Sequence, residues 1–230
     1  MIGSLSAGLL GLVVGAKHAF EPDHLAAVCT VVTDPRGARR GHEIGAAWGA
    51  GHTAALVVVG AVALALRTEL PAWLSSAFEL GVAAMLLVLG LRGVVLAARL
   101  GKQGSVFTHR HGETEHTHAG PADHIHAAHL TLARRPFLIG MVHGLAGSGA
   151  LTALAVAASP TVGGGVAYIL LFGLGSVAGM ALITGAVGAS LRRWVRSVRG
   201  QSRLGIASGA LSVVCGLAWG YEPLLALVAG

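Results

Sequence analysis

An all-α polytopic membrane protein is the fold class that this sequence predicts, and three observations predict it. The 230 residues are 54% hydrophobic and only 11% charged, with a mean hydropathy of +0.72, which is too apolar for a soluble domain of this size. Glycine occurs 35 times, as close packing of membrane helices requires. Apolar stretches of about 20 residues or more, enough to cross a hydrocarbon core of about 30 Å, recur between short polar breaks.

Six spans are expected, over residues 3–33, 44–66, 71–98, 136–158, 163–190 and 204–229. The breaks carry turn or charge signals: Asp34-Pro35-Arg36 with Arg39-Arg40, then Arg67-Thr68-Glu69-Leu70-Pro71, a polar segment 99–135, Ser159-Pro160, and a basic run from Arg192 to Arg203. Arg36, Arg39 and Arg40 lie in the first loop, Arg99, Lys102, Arg110, Arg134 and Arg135 in the third, and Arg192, Arg193, Arg196, Arg199 and Arg203 in the fifth, against Arg67 alone on the other side. By the positive-inside rule the odd loops are cytoplasmic and both termini lie outside. The expected location is a bacterial plasma membrane.

An internal repeat sets the architecture. WGAGHTAALVVVGA from Trp48 matches FGLGSVAGMALITGA from Phe172, which aligns His52 with Ser176 at an offset of 124 residues. Gly81 aligns with Gly205 at the same offset, and His18 with His143 at 125. Each half holds three spans, an odd number, so two inverted three-helix repeats are expected, an arrangement that secondary transporters use to hold substrate near the midplane. The chain then divides into a first repeat, 1–98, a His-rich cytoplasmic loop, 99–135, and a second repeat, 136–230.

Several function classes are disfavoured. The basic balance, with a formal net charge of +6, is concentrated in short loops that set topology, so nucleic-acid binding is not expected. Cys29 and Cys215 lie in different apolar spans without C-x-x-C spacing, which indicates neither a disulfide framework nor a thiolate metal site. The first apolar stretch has no basic region before it and carries charges in its middle, so it reads as a retained helix rather than a cleaved signal peptide. No H-E-x-x-H occurs, and His42-Glu43 lacks a second histidine at the right spacing, so an intramembrane metalloenzyme is not expected.

The chemistry is concentrated in Lys17-His18-Ala19-Phe20-Glu21-Pro22-Asp23-His24. Ionisable groups inside a membrane are costly and point to function. Imidazole with carboxylate is an N/O donor set that suits nickel, cobalt, zinc or manganese and not copper(I). At the helical rise of about 1.5 Å per residue, His18 lies ~22 Å from the outer start of span 1, while His52 and His143 lie ~12 Å and ~10 Å from the cytoplasmic starts of spans 2 and 4. These three imidazoles occupy one slab and could converge on one ion with Asp23 and His24.

In a regular helix His18 and His24 would not share a face. Pro22 lacks an N–H for the His18 carbonyl and its ring clashes there, so helix 1 is expected to break near Pro22, aiming His18, Asp23 and His24 at one point and freeing a carbonyl. Glu21 is a further ligand, a carboxylate orienting an imidazole, or the counter-ion of Lys17. The alternative for the whole cluster is a satisfied polar group that only pins helices together.

At these residues the chain resembles the nickel/cobalt transporter family, NiCoT with its wider NicO relatives. The hallmark H-x-x-x-x-D-H is matched by His18, Asp23 and His24, and the G-H-S/T of the next helix by Gly51-His52-Thr53. HGLAGSGAL, from His143 to Leu151, resembles the six-span branch labelled urease accessory membrane protein. The chain departs from the typical pattern in Glu21-Pro22, in six spans rather than eight, and in Gly147-Ser148-Gly149 where an acidic motif would stand. The resemblance implies transport of nickel or cobalt, with zinc and manganese as further candidates.

Between residues 100 and 135 lie His109, His111, His116, His118, His124, His126 and His129, seven of the twelve histidines. This is a low-complexity metal-binding tract, expected to be disordered without metal, which would capture ions, feed an exit route or sense cytoplasmic metal. It resembles the linker of nickel/cobalt efflux proteins. A membrane metal-storage or metal-sensing accessory protein acting through this loop is the alternative function, and a cytoplasmic metallochaperone is the candidate partner. Glu79 and Glu222 either line a proton or cation path or lie near the outer interface; Trp73, Trp194 and Trp219 read as interface anchors.

Overall fold

The structure, a computed structural model, describes residues 2–32, 40–66, 70–103, 106–111, 114–119, 129–147, 161–194 and 197–229. It contains α1 (Ile2–His18), α2 (Pro22–Val32), α3 (Gly41–Leu66), α4 (Ala72–Gln103), α5 (His129–Ala146), α6 (Val162–Trp194) and α7 (Val198–Ala229), with a short pair of strands, β1 (Val106–His111) and β2 (Thr114–Ala119), between α4 and α5. The helix starts follow local chemistry. Pro22 opens α2, where its missing N–H removes no helical bond, and Asp23 follows in the first turn, favourably placed against the helix dipole. Thr161 and Ser197 cap α6 and α7, their hydroxyl oxygens accepting the N–H groups of Gly164 (3.1 Å) and Gly200 (3.0 Å). Arg40 pairs with Glu43 across the first turn of α3.

The interior mixes an apolar core, with Trp48, Leu56, Leu86, Ile169 and Met180, with buried polar groups, and the outside is apolar. Asp23, His24, His52, His143, Ser176, Thr184, Ser202, Ser208 and Ser212 are buried, while Leu10, Val58, Val88, Leu91, Leu170, Leu182 and Val214 are among the large apolar side chains left exposed. Such a surface suits lipid and not water. Four helical stretches, Gly41–Leu66, Ala72–Gly101, Gly163–Arg193 and Val198–Val228, are long and apolar enough to cross a membrane, and Gly8–His18 is a shorter apolar helix. Helix α4 packs along α7, α3 lies between α5 and α6, and α1 lies on α6. These contacts are made backbone to backbone. Gly15 of α1 sits against the Phe172 carbonyl of α6, Gly140 of α5 against the Trp48 carbonyl of α3, Gly51 of α3 against the Phe137 carbonyl of α5, and Gly175 of α6 against the Leu12 carbonyl of α1. Between α4 and α7 the hydroxyls of Ser202 and Ser212 donate to the carbonyls of Ala97 (2.7 Å) and Leu86 (2.9 Å).

Two expectations change against this structure and one holds: the first predicted span is broken near Pro22, with α1 ending at His18, residues 19–21 forming a turn, and α2 11 residues long. The break thus precedes Pro22, which starts the second piece instead of kinking a continuous one. The His18 carbonyl, however, is not freed, because the turn folds back so that the Glu21 N–H donates to it at 3.1 Å, as the Phe20 N–H does to the Lys17 carbonyl at 2.9 Å. In the polar loop, where composition suggested no regular structure, the described backbone pairs β1 with β2 antiparallel, from Val106 opposite Ala119 to His111 opposite Thr114. The second half of the fourth predicted span, after residue 147, lies outside the described residues, as do His124 and His126.

A Cβ at Gly51 would run into the Phe137 carbonyl, whereas at Gly81 it would meet open space. Gly51→Val is therefore expected to destabilise the fold by about 1–3 kcal/mol, lowering the thermal midpoint in detergent, with Gly81→Ala close to neutral. Equal midpoints for the two variants would contradict backbone contact between α3 and α5.

Candidate metal site

The turn between α1 and α2 delivers three of the predicted residues to one place. His18 is the last residue of α1, and Asp23 and His24 open α2, so a reversal of only three residues separates the first ligand-type side chain from the next two. His52 reaches the same place from the middle of α3, and His143 from the last turn of α5. Donor atoms of His18, His24 and His52 lie within 4.8 Å of one another, as do those of Asp23, His24 and His143. Ring centroids are 4.6 Å apart for His18 and His24, 5.1 Å for His18 and His52, 5.3 Å for His24 and His52, and 4.0 Å for His24 and His143.

Carboxylates hold the imidazoles in position. Asp23 lies between two rings, with Oδ2 2.7 Å from His143 Nε2 and Oδ1 3.1 Å from His24 Nδ1, and the His24 backbone N–H also donates to Oδ1 at 2.8 Å. Glu21 stands 2.8 Å from His18 Nδ1, so of the roles open to it the contact seen is with the imidazole. Such carboxylate–imidazole contacts fix the ring orientation and raise its basicity as a ligand. Asp23, His24, His52 and His143 are almost fully buried.

Several ring nitrogens in this interior have no hydrogen-bond partner among the described residues: His24 Nε2, His143 Nδ1, and both nitrogens of His52. A buried polar atom without a partner carries its full desolvation cost. A neutral imidazole keeps one lone-pair nitrogen, so each of these rings has a nitrogen that a borderline divalent cation would satisfy.

The other predicted residues lie elsewhere. The Ser176 hydroxyl donates to the Gly15 carbonyl at 3.2 Å, fastening α6 to α1 one turn before His18. Glu79 is half-buried on α4 and is in neither donor group. The backbone of His109, His111, His116, His118 and His129 is placed on β1, β2 and the start of α5, and their side chains lie outside the description.

Two aromatic residues that the sequence reading did not single out line the site. Trp48, 2% exposed, stacks on His24 at 5.8 Å with 19° between the planes and lies 5.5 Å from the His143 ring. Phe172 lies 5.4 Å from the His18 ring. Trp48 precedes His52 by four residues and so shares its helix face, which is the signal that could have found it.

Comparison with known proteins gives a consistent picture. The profile of the NicO family, described as "High-affinity nickel-transport protein", matches residues 4–195. Similar proteins include the "Urease accessory protein UreH" of Bacillus sp. (strain TB-90), 31% identical over 224 residues that cover 95% of this chain and 92% of that one. Another is the "Chloroplast protein FOR GROWTH AND FERTILITY 2" of Arabidopsis thaliana, 27% identical over 93% of this chain and 56% of that protein. No solved structure matches.

The turn at 19–21 makes a prediction at Pro22. An alanine there restores an N–H that competes with Glu21 for the His18 carbonyl, favouring a helix continuous from α1 into α2. Pro22→Ala is expected to keep or raise the thermal midpoint in detergent while nickel and cobalt affinity fall. Unchanged affinity would show that the side chains meet without the turn.

Proposed function

Because this chain belongs to the NicO family of nickel-transport proteins, an integral-membrane transport family and not one of enzymes, we propose that it transports divalent transition-metal ions, nickel or cobalt first, through a site formed by His18, Asp23, His24, His52 and His143. The observation that carries this reading is the gathering of these five side chains from three separate parts of the chain around unpartnered, buried imidazole nitrogens. A cluster that served only to pin helices would be expected to satisfy its own nitrogens. Glu21 orients His18, and the His-rich loop, on the cytoplasmic side with both termini outside, exchanges ions with the cytoplasm or with a metallochaperone there.

The proposed architecture is six spans in two inverted three-helix repeats, with the first span interrupted at the turn. Reciprocal contacts support it. At the sequence offset of 124 or 125 residues, Gly15 against Phe172 becomes Gly140 against Trp48, Gly51 against Phe137 becomes Gly175 against Leu12, and Gly49 against Val177 becomes Gly173 against Thr53. The ring pair His18–Phe172 likewise becomes His143–Trp48. Contacts that return when the halves are exchanged are what a pseudo-two-fold axis generates, and three spans in each half would lay that axis in the membrane plane.

Transport is tested in proteoliposomes loaded with a metal-sensitive dye. His18→Ala, Asp23→Ala and His24→Ala are each expected to abolish nickel and cobalt flux in a protein that still elutes as a folded species, while deletion of residues 104–128 lowers the flux without abolishing it. Loss of all metal binding on loop deletion, with His18→Ala without effect, would instead favour storage or sensing through the loop.

Sidedness is tested separately. Single cysteines introduced at Arg39, Glu113 and Arg196 are expected to react with an impermeant reagent from the same side of the membrane. Labelling from different sides would overturn the inverted arrangement.

A further inference from the structure

The five side chains do not form one ring around one point but two triads that share a member: His18, His24 and His52 on one side, Asp23, His24 and His143 on the other. The outer pair of rings, His52 and His143, is the more distant, with centroids 6.0 Å apart, while His24 stands 4.0 Å from His143 and 4.6 Å from His18. We infer that the site comprises two alternative ion positions, one with three nitrogen donors and one with two nitrogens and a carboxylate, occupied one at a time and linked by His24, so that an ion passes through the protein by transfer from one triad to the other. This rests on the metal-transport reading above.

Three features carry it. A neutral imidazole has one lone-pair nitrogen, the other bearing hydrogen, so a histidine common to both triads serves one ion at a time. Exposure is graded across the pair: the side chains of Glu21 and His18 are 47% and 15% exposed, those of Asp23, His143 and His24 only 6%, 2% and 1%. The all-nitrogen triad therefore includes the accessible edge and the carboxylate triad is enclosed. Each triad also has its own aromatic wall, Phe172 beside His18 and Trp48 beside His143 and His24. One walled position would need one wall.

Divalent donors in two different sets are distinguishable by the visible absorption of cobalt(II), which responds to donor type and geometry. Cobalt would be titrated into the full-length chain in detergent, with the seven histidines of the loop replaced by asparagine in every sample so that only core binding is read, and the chain with no core substitution as the reference. We expect His52→Ala and His143→Ala each to keep the core affinity within about tenfold of the unsubstituted chain, and His24→Ala and His24→Gln to lose it by about 100-fold or more. The two single variants should give different spectra, with that of the unsubstituted chain a weighted sum of them at one core equivalent. Each should lower cobalt flux into proteoliposomes at least about tenfold, since an ion held in one triad has nowhere to go. Loss of binding in His52→Ala or His143→Ala as deep as in His24→Ala would mean one composite site, two core equivalents would mean simultaneous occupancy, and normal flux in either variant would remove the relay. Unchanged core binding in both His24 variants would overturn the metal reading itself, an outcome distinct from the others.

Discussion

The inner part of this site depends on a buried carboxylate held between two rings. Asp23 contacts His24 on its own helix and His143 from α5, and an acidic group taken into an apolar interior is tolerable only with such partners. The contact to His143 joins the two halves of the chain across the interior, from the first turn of α2 to the last turn of α5. The imidazoles of His18 and His52 are then placed by the α1–α2 turn and by the contacts of α3, without a direct bond of their own to Asp23 among those described.

The turn has a separate consequence for specificity. Three residues of reversed chain bring His18 beside His24 although a helix would set them about 240° apart, and the reversal is closed by backbone bonds from Glu21 to His18 and from Phe20 to Lys17, with the Glu21 carboxylate also on the His18 ring. The main chain sets where these side chains begin, and the carboxylates of Glu21 and Asp23 set where the rings of His18, His24 and His143 point. The donors are thus already positioned before an ion arrives, and the entropy of ordering them is spent on folding instead of on binding.

Much of this was legible in the sequence because charge inside an apolar run is rare. His18, Asp23, His24, His52 and His143 stood out for that reason, and the offset between halves connected them. Trp48 and Phe172 did not, since an aromatic ring in an apolar helix reads the same whether it packs on lipid, on a leucine or on an imidazole. The break near Pro22 was legible, but not its form, because proline is compatible both with kinking a helix and with starting one, and only the turn's hydrogen bonds decide. The fate of the His18 carbonyl was invisible for the same reason. Helix number was legible where a span is one uninterrupted apolar run, as in α3, α4, α6 and α7, and not in the first span, where two short pieces have the hydropathy of one long one.

The glycine contacts between α1 and α6, and between α3 and α5, leave no room for a side chain where these helices meet. A crowded side chain can turn to another rotamer, but a crowded carbonyl cannot, so such a contact has nothing soft to give. Separation would also lose a dense row of close atomic contacts. The helices that carry His18, His52 and His143 are therefore held at a spacing that glycine alone permits, and the distances between their imidazoles are inherited from the residue with no side chain.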